Sequence, residues 1–414
     1  MSTNKLTAIL KGGAWLTLAN LVQRLAGVIV LPILARLLDP TGLGTYALIQ
    51  QTVQTGDNFS RLGVDAAVHR NGSQHETLGK DAVGRLFGVG ATLILSVAIL
   101  LAFILWLASS QVATHFLGEP KLTIWLPLAG FIILLTSSAE LPRLYLVALH
   151  AFRLYSLRDS ITVVVGASIT ITLASFFGLS GAIYGLLATA LIRLLWGGWL
   201  AFLLLREKEI HLRFDHFFQE ATNILRFGLP FYLSNFLSNF ITLPLLGWLT
   251  RLGGIEQVGY IRVAQSLSQL LSFIPMTVGP VIISYLSASF ASNKEEYQTL
   301  KSIHLRTLWS LILVVSVTIC FSLDFLVPSL FGASYTESIL LSRITIWIVF
   351  VNTLSGMLAQ YLISAGNTHT IAIWKTGGLL IMLTSAFFMI PQYQATGLLL
   401  ARVFGGLFTL LGYS

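Results

Sequence analysis

A dense polar segment interrupts an apolar stretch in the first part of the chain. The segment "QQTVQTGDNFSRLGVD", residues 50–65, combines amides, carboxylates and a guanidinium at helical spacing. The polar residues that share one helical face are Gln50, Gln54, Asp57, Asn58, Arg61 and Asp65. At about 100° per residue, they fall within an arc of about 100°. Such side chains can bind anions and hydroxyl groups, and the carboxylates can accept a proton or a cation.

The composition indicates whether the chain that contains this polar face lies in water or in a membrane. Of 414 residues, 55% are hydrophobic and 10% are charged, and the mean hydropathy is +0.80. Soluble domains have about one-quarter charged residues, so the sequence predicts an integral membrane protein. Basic loops explain the net charge of +8, so no nucleic-acid partner is expected. Cys320, the one cysteine, excludes a disulfide within the chain and a cysteine metal cluster, and no cofactor is expected.

Recurrent apolar runs predict an all-α polytopic protein. The hydrocarbon core is about 30 Å thick, which requires about 20 apolar residues per helix. Twelve spans are predicted near residues 12–36, 43–67, 84–108, 122–146, 156–178, 181–205, 227–250, 256–285, 305–328, 338–362, 371–391 and 394–414. The N-terminal segment is expected to be the first span and not a cleaved signal peptide.

Loop charge predicts the orientation of these spans. An even number of spans places both termini on one side of the membrane. The loops on that side contain Lys5, Lys11, Arg70, Lys80, Arg85, Arg143, Arg153, Arg158, Arg206, Lys208, Arg213, Arg226, Lys294, Lys301, Arg306 and Lys375. The opposite loops contain only Arg36, Lys121 and Arg251. The positive-inside rule therefore places both termini in the cytoplasm.

The two halves of the chain are predicted to be parallel repeats. A shift of 215 positions aligns Gly13 with Gly228, Asn20 with Asn235, Arg36 with Arg251, Gly44 with Gly259, Gln50 with Gln265 and Gln54 with Gln269. Six spans per repeat preserve orientation, which predicts two six-helix bundles with a substrate site between them, a transporter architecture. The predicted parts are an N-lobe at residues 1–205, a C-lobe at 227–414 and a cytoplasmic linker at 206–226. The charges and aromatic residues of the linker predict an amphipathic helix on the membrane surface.

Polar faces also occur on spans 1, 7 and 8. They contain Asn20, Gln23 and Arg24, then Ser234, Asn235, Ser238, Asn239 and Thr242, and finally Arg262, Gln265, Gln269 and Ser272. A charge at a helix centre costs about 2.5–3.5 kcal/mol on insertion scales, so these residues must face protein, water or a ligand. We predict a common water-accessible cavity in which amides bind sugar or water. Arg24 and Arg262 are candidates for binding phosphate or carboxylate oxygens. The structural alternatives are hydrogen bonds from Arg24 to a neighbouring helix and extension of Arg262 to the membrane surface.

Arg61 has acidic residues on both sides in its own span. Asp57 and Asp65 lie at i−4 and i+4, the spacing of intrahelical ion pairs. Three interpretations stay open: a self-neutralised face, a proton or sodium site at Asp57 or Asp65, or an arginine that exchanges its carboxylate for substrate phosphate. Glu140 and Arg143 are interpreted as a local ion pair at a helix end. Three other intramembrane arginines, Arg193, Arg343 and Arg402, are interpreted as structural or interfacial.

Four segments carry a family resemblance. They are "LARLLDPTGLGTYAL", "LGVDAAVHR", "LRFGLPFYLSNF" and "GGIEQVGYIRVAQSLSQL". They resemble the Wzx-type oligosaccharide flippases of the multidrug/oligosaccharidyl-lipid/polysaccharide (MOP) exporter superfamily, over essentially the whole chain. The resemblance implies a V-shaped, MATE-like pair of six-helix bundles that open alternately to the two membrane faces. It further implies location in the bacterial plasma (inner) membrane.

The resemblance also implies a cargo, site residues and partners. The implied cargo is an undecaprenyl-pyrophosphate-linked oligosaccharide repeat unit, moved to the outer leaflet for O-antigen, capsule or exopolysaccharide assembly. Peptidoglycan-precursor flippases of the superfamily have cavity arginines on helices 1, 2 and 8, and Arg24, Arg61 and Arg262 lie on those spans here. Membrane lipids, a polysaccharide polymerase and a chain-length regulator are candidate partners. A proton or sodium gradient is the candidate energy source.

Three other functions are weighed against a flippase. A cation-coupled multidrug exporter of the same fold would need an acidic, aromatic-lined pocket, whereas the cavity candidates are arginine and glutamine. A membrane-embedded polysaccharide polymerase or glycosyltransferase would need a substantial catalytic segment outside the membrane, and the predicted outer loops are short. A structural scaffold would leave the polar faces unexplained.

Overall fold

A computed structural model describes the backbone of residues 3–72, 79–269, 271, 294–364 and 367–414. These residues are almost entirely helical and contain no β-strand, which confirms the predicted all-α class. Side chains at 230–231 and 233–239 lie outside the described part. The candidate ligands Asn235 and Asn239 are therefore outside the side chains that the structure describes.

The described residues form twelve helices longer than one turn, besides a three-residue helix at Ser109–Gln111. The first six are α1 (Thr3–Leu37), α2 (Pro40–Arg61), α3 (Val64–Gly72), α4 (Lys80–Leu107), α5 (Leu126–Ala148) and α6 (Phe152–Glu207). The others are α7 (Phe217–Phe240), α8 (Thr242–Gly253), α9 (256–269), α10 (Lys294–Phe331), α11 (Ser338–Ser364) and α12 (Thr368–Tyr413). One π-helical turn and two 3₁₀ turns, Val112–Phe116, Pro120–Ile124 and Ala333–Tyr335, lie in the connections.

Seven helices in the described part are long and apolar enough to cross a membrane by length and composition. Two of them, α6 with 56 residues and α12 with 46, each contain two predicted spans. The backbone of these two helices leaves the helical conformation at Gly178 and Gln394, where the sequence predicts a connection between spans. The chain is therefore a multi-pass membrane protein. The total of twelve spans stays a prediction.

The prediction of a surface helix at residues 206–226 is wrong for the middle of that segment. α6 ends at Glu207, residues 208–216 are not helical, and α7 begins at Phe217. The non-helical part crosses the first turns of α4, where Arg213 N donates to Gly84 O at 3.0 Å. A Cβ on Gly84 would collide with the carbonyl oxygen of His211. Glycine is needed here because the two backbones touch.

Ion pairs fix this connection to α4. Lys80 Nζ lies 2.5 Å from Glu209 Oε2, and Arg85 NH1 lies 3.1 Å from Asp215 Oδ2. The hydrogen bond from Lys80 lowers the pKa of Glu209 from its ordinary value. These ion pairs are exposed and therefore weak. The backbone contact at Gly84 is therefore the main determinant of where residues 208–216 lie on α4.

The contacts divide the chain into two compact units. Unit 1 comprises Met1–Val30 and Thr45–Gly247, and unit 2 comprises Leu31–Gly44 and Trp248–Ser414. The core of unit 1 includes Phe87 and Tyr145, whose stacked rings have centroids 4.4 Å apart. The core of unit 2 includes Leu308, Ile312, Phe350 and Met357 from α10 and α11. The lobes at residues 1–205 and 227–414 stay a prediction.

A reciprocal glycine contact in unit 2 follows the predicted repeat. A Cβ on Gly44 of α2 would collide with the carbonyl oxygen of Ile255, and one on Gly259 of α9 would collide with that of Pro40. Gly44 and Gly259 are 215 positions apart, as are Pro40 and Ile255. Each helix start therefore contacts the other in an equivalent way, as expected for two copies of one motif.

The first prediction concerns this contact. Gly44→Ala should lower the stability of the protein by about 1–3 kcal/mol, because overpacking against a backbone carbonyl cannot be relieved by a rotamer change. Gly27→Ala is the control, because a Cβ on Gly27 of α1 meets no atom within 4 Å. Thermal unfolding in detergent should show a lower melting temperature for Gly44→Ala only. Equal melting temperatures would contradict the close contact.

Candidate functional site

A buried ion-pair network connects the polar face of α2 to α5. Asp57 and Arg61, one turn apart on α2, form the predicted ion pair. Arg61 NH1 also lies 3.6 Å from Glu140 Oε2 on α5, and Glu140 pairs with Arg143. Asp57 is 9% exposed and Glu140 is 6% exposed. A buried carboxylate needs a paired cation, and here Arg61 is shared by two carboxylates from different helices.

Two serine hydroxyls complete the contact between α2 and α5. Ser137 Oγ donates to Asp57 Oδ1 at 3.1 Å, and the hydroxyls of Ser60 and Ser137 are 2.8 Å apart. Arg61 donates to the other oxygen of Asp57, Oδ2. Both carboxylate oxygens of Asp57 are therefore bonded. Gly56 permits this close approach of the helices, since a Cβ there would collide with the side chain of Ile133.

The start of α6 adds a fully buried arginine. Arg158 is 0% exposed, pairs with Asp159 Oδ1 at 2.6 Å and donates to the carbonyl oxygen of Ala139 on α5. Gly197, in the part of α6 that follows the turn at Gly178, makes room for it. A Cβ on Gly197 would collide with Nε of Arg158. Arginine, aspartate and glycine from distant positions thus form one packing unit.

The network carries more positive than negative charge. Its carboxylates are Asp57, Glu140 and Asp159, and the four arginines around them are Arg61, Arg143, Arg158 and Arg193. Three of these arginines pair with the carboxylates, and Arg193 acts on Glu140 through its charge, so the arginines named here exceed the carboxylates by one. The side chains of Arg61 and Arg143 remain 18% and 24% accessible. In a low-dielectric interior this excess charge attracts anions more strongly than it would in water.

The structure separates Asp65 from Arg61, contrary to the i+4 spacing. Leu62 and Gly63 have φ values of 46° and 78° and interrupt the helix. Asp65 therefore lies in the first turn of α3, where its Oδ1 accepts a hydrogen bond from Ala66 N at 2.9 Å. The helical register does not continue through the break, and Glu140 takes the place of Asp65 as the second partner of Arg61.

Two residues of the network have larger roles than the sequence pattern indicated. The ion pair of Glu140 with Arg143 is confirmed, but Glu140 lies inside α5 and not at its end. Arg158 was assigned to a basic loop and is fully buried on α6. The adjacent Asp159 was the available signal, because an acidic neighbour is what a buried arginine requires. The interhelical partners could not be read from spacing.

The other predicted site residues are distributed over both units. Asn20, Gln23 and Gln54 are exposed and Arg24 and Gln50 half-buried in unit 1, while in unit 2 Arg262 and Gln265 are half-buried and Gln269 exposed. The structure thus brings together Asp57 and Arg61 from the predicted set. A cavity shared by the remaining candidates stays a prediction.

The second prediction tests the room that Gly197 provides. Gly197→Ala should destabilise the protein by about 1–3 kcal/mol, because the added methyl displaces a guanidinium that is held on two sides. Gly198→Ala is the matched control, since a Cβ on Gly198 meets nothing within 4 Å. Thermal unfolding of both variants in the same detergent decides the point. A melting temperature for Gly197→Ala at or above that of Gly198→Ala would show that Arg158 is not fixed there.

Several solved structures of membrane transporters share this fold. The chain matches the inward-facing conformation of a multidrug resistance MATE family transporter of the MOP superfamily with a TM-score of 0.73 and 17% identity, covering 94% of this chain and 93% of that one. It matches the lipid II flippase MurJ in an inward closed conformation with a TM-score of 0.72 and 14% identity, covering 95% and 85%. A MOP superfamily transporter from Pyrococcus furiosus matches with a TM-score of 0.61 and 16% identity, covering 98% and 93%.

These likenesses show that the multi-pass chain has the fold of the MOP superfamily transporters, as predicted. The chain belongs to the polysaccharide biosynthesis protein family, whose family model matches residues 9–290. No curated protein matches the chain by sequence. The Wzx-type resemblance is consistent with this family and this fold.

Proposed function

We propose that the protein is a flippase for undecaprenyl-pyrophosphate-linked oligosaccharide repeat units. It moves them from the cytoplasmic to the outer leaflet of the bacterial plasma (inner) membrane by alternating access, without a chemical reaction, and has both termini in the cytoplasm. The product enters O-antigen, capsule or exopolysaccharide assembly, so a polymerase and a chain-length regulator are proposed partners. Family membership over residues 9–290 supports the polysaccharide pathway.

The observation that carries the substrate class is the excess of arginine in the buried network of unit 1. Four guanidiniums surround three carboxylates, and the side chains of Arg61 and Arg143 are partly accessible. A pyrophosphate group is attracted by this charge, whereas a cationic drug is repelled. The Pyrococcus furiosus transporter is described as having a binding pocket of reverse polarity that suggests a different function. By the same reasoning, a positive interior favours an anionic cargo over a cationic drug.

The arginines divide into two roles. Arg61 is engaged by Asp57 and by Glu140, so binding pyrophosphate directly would require it to break existing ion pairs. We assign direct pyrophosphate contact first to Arg24 on α1 and second to Arg262 on α9, because each is a half-buried arginine on one of the predicted polar faces. Asn20 and Gln23 precede Arg24 by four residues and one residue, and both are exposed. Their amides are suited to sugar hydroxyls or phosphate oxygens.

We further propose that protonation of Asp57 couples transport to a proton gradient. Asp57 contacts one arginine, whereas Glu140 contacts two, so protonation of Asp57 breaks fewer ion pairs. Sodium is less suited to this position because the guanidinium of Arg61 already occupies one side of the carboxylate. Loss of the charge on Asp57 would break its ion pair with Arg61 within α2 and weaken the hydrogen bond that Asp57 accepts from Ser137 on α5, which changes the contact between these helices.

The third prediction concerns the cargo. Purified protein in proteoliposomes should translocate a pyrophosphate-linked oligosaccharide, and Arg24→Ala should lower the rate at least tenfold while the protein remains folded. Arg24→Lys should retain part of the rate, because lysine keeps the charge but loses the bidentate geometry.

Arg206→Ala is the control for this experiment, since Arg206 is exposed at the end of α6. Ethidium is the second substrate tested. Normal oligosaccharide translocation by Arg24→Ala would refute the role of Arg24. Transport of ethidium without transport of the oligosaccharide would favour a multidrug exporter instead.

The fourth prediction concerns coupling. With an imposed pH gradient, Asp57→Asn should translocate at a rate that no longer depends on the gradient, because asparagine cannot take up the proton. Asp65→Asn should keep the dependence, because the Asp65 carboxylate accepts a backbone hydrogen bond at the start of α3. The measurement is the ratio of rates with and without the gradient. If the translocation rate of the wild type is the same with and without proton and sodium gradients, ion coupling at Asp57 is excluded.

A further inference from the structure

A second candidate site lies within unit 2. A cavity of about 490 Å³ is lined by residues from α9, α11, α12 and the connection before α11. Among the lining residues are Gln257, Tyr260, Glu337, Arg343, Tyr393 and Gln394. Its volume is within the range of small-ligand sites, about 300–1,000 Å³. The connections that border it are on the side that loop charge predicts to be extracytoplasmic.

The backbone at Gln394 is strained, and its equivalent in unit 1 is not. Gln394 has φ 49° and ψ −123°, a conformation that favours glycine. Gly178 has nearly the same values, φ 57° and ψ −132°, at the turn within α6. The two positions are 216 residues apart, close to the repeat length. The turn in unit 1 therefore has a glycine, which adopts this conformation without strain. The turn in unit 2 has a glutamine at the equivalent position.

Neighbouring glycines confirm that these two turns are equivalent. A Cβ on Gly181 would collide with the carbonyl oxygen of Leu173, and a Cβ on Gly397 would collide with that of Met389. Both pairs are again related by 216 positions. Since the turn forms with glycine in unit 1, its geometry does not require a glutamine. Strain that persists without a structural need points to a function of the side chain.

The side chain of Gln394 lies beside the side chain of a second glutamine, Gln257. A Cβ on Gly253 would lie 3.1 Å from Gln257 Cγ and 3.1 Å from Gln394 Oε1. Both glutamine side chains therefore pack over Gly253, and both line the cavity. Each glutamine brings an amide with a donor and an acceptor to the lining of one cavity, and such groups are suited to sugar hydroxyls.

Aromatic rings form two sides of the cavity. Tyr260 is buried, and its ring packs edge-on against Tyr335 with centroids 6.3 Å apart. Tyr335 is itself held by a hydrogen bond from its hydroxyl to Leu38 O at 2.8 Å. Tyr393 is 55% exposed. One ring is thus fixed in place and the other can cover a ligand from the open side.

The lining of the cavity carries no excess of positive charge among the described residues. The lining includes one carboxylate, from Glu337, and one guanidinium, from Arg343. Arg343 donates to Asp324 Oδ2 at 2.6 Å, so its charge is already matched by an acidic partner. Pyrophosphate would therefore find a weaker attraction here than in the arginine-rich network of unit 1.

We propose that this cavity binds the saccharide part of the substrate at the extracytoplasmic end of unit 2. Paired amides for hydroxyls and tyrosine rings for the apolar faces of sugars define the ligand class. This inference rests on the proposed function, because it divides recognition of one cargo between two places. The network of unit 1 attracts the pyrophosphate, and the cavity of unit 2 holds the sugar.

The fifth prediction tests the cavity by binding and not by transport. The probe is the oligosaccharide released by mild acid from the lipid-linked repeat unit of the source strain. Calorimetric titration into protein in nanodiscs should show binding, and Gln394→Gly should weaken it about tenfold, as expected when a hydrogen-bonding amide is lost. The melting temperature should stay equal or rise, because glycine relieves the strained φ.

Two variants serve as controls. Gln392→Ala removes an exposed amide that does not line the cavity, and should bind like the wild type. Gln257→Ala removes the partner amide from α9, and should weaken binding even if Gln394→Gly fails to fold.

Several outcomes would overturn the assignment. They are no binding of the released oligosaccharide by the wild type, equal affinity in wild type and Gln394→Gly, and binding of ethidium that Glu337→Gln abolishes. If the wild type does not bind the released oligosaccharide but still translocates the lipid-linked unit, only the assignment of the cavity as a saccharide site is refuted. Binding without translocation would refute the flippase function alone.

Discussion

The burial of Glu140 inside α5 is the constraint on which the structure of unit 1 depends. A carboxylate in an apolar interior is tolerated only beside cations, and its direct partners come from α5 itself and from α2. Asp57 then shares Arg61 with it, and the hydroxyl of Ser137 holds the other oxygen of Asp57. The ion pair of Arg61 with Glu140 and the hydrogen bond from Ser137 to Asp57 therefore hold α2 against α5. The same arrangement concentrates positive charge where an anionic headgroup could be attracted.

Glycine permits the close helix contacts that this charge chemistry needs. Gly56 and Gly197 leave room beside Asp57 and Arg158, and Gly84 lets the connection before α7 lie on α4. Apolar packing alone provides little driving force between helices in a lipid environment, so small residues and polar pairs carry more of the association. The chemistry of the site and the packing of the fold therefore depend on the same positions.

The two units share a repeat but have different polar chemistry in their described parts. The turn at Gly178 recurs at Gln394, and the first residues of α2 contact the equivalent residues of α9. Unit 1 contains the buried arginines and carboxylates, whereas the cavity of unit 2 is lined by amides and tyrosines. A repeat that keeps the backbone and changes the side chains can divide the recognition of one amphipathic cargo, with a charged group on one side and sugar on the other.

The sequence by itself determined the features that depend on composition and local spacing. Apolar runs predicted an all-α multi-pass protein, the 215-residue shift predicted a repeat that the reciprocal glycine contact follows, and the i+4 spacing predicted the pair of Asp57 with Arg61. These features follow from hydropathy and helical periodicity, which act within one segment.

Only the tertiary structure decided which charges meet across helices. It moved Asp65 to a new helix, gave Arg61 a partner 79 positions away in Glu140, and buried Arg158 against Gly197. It also placed the glutamine amides of α9 and α12 over Gly253. The physical reason is that a helix break and an interhelical distance both depend on packing between segments far apart in sequence, which periodicity within a segment does not specify.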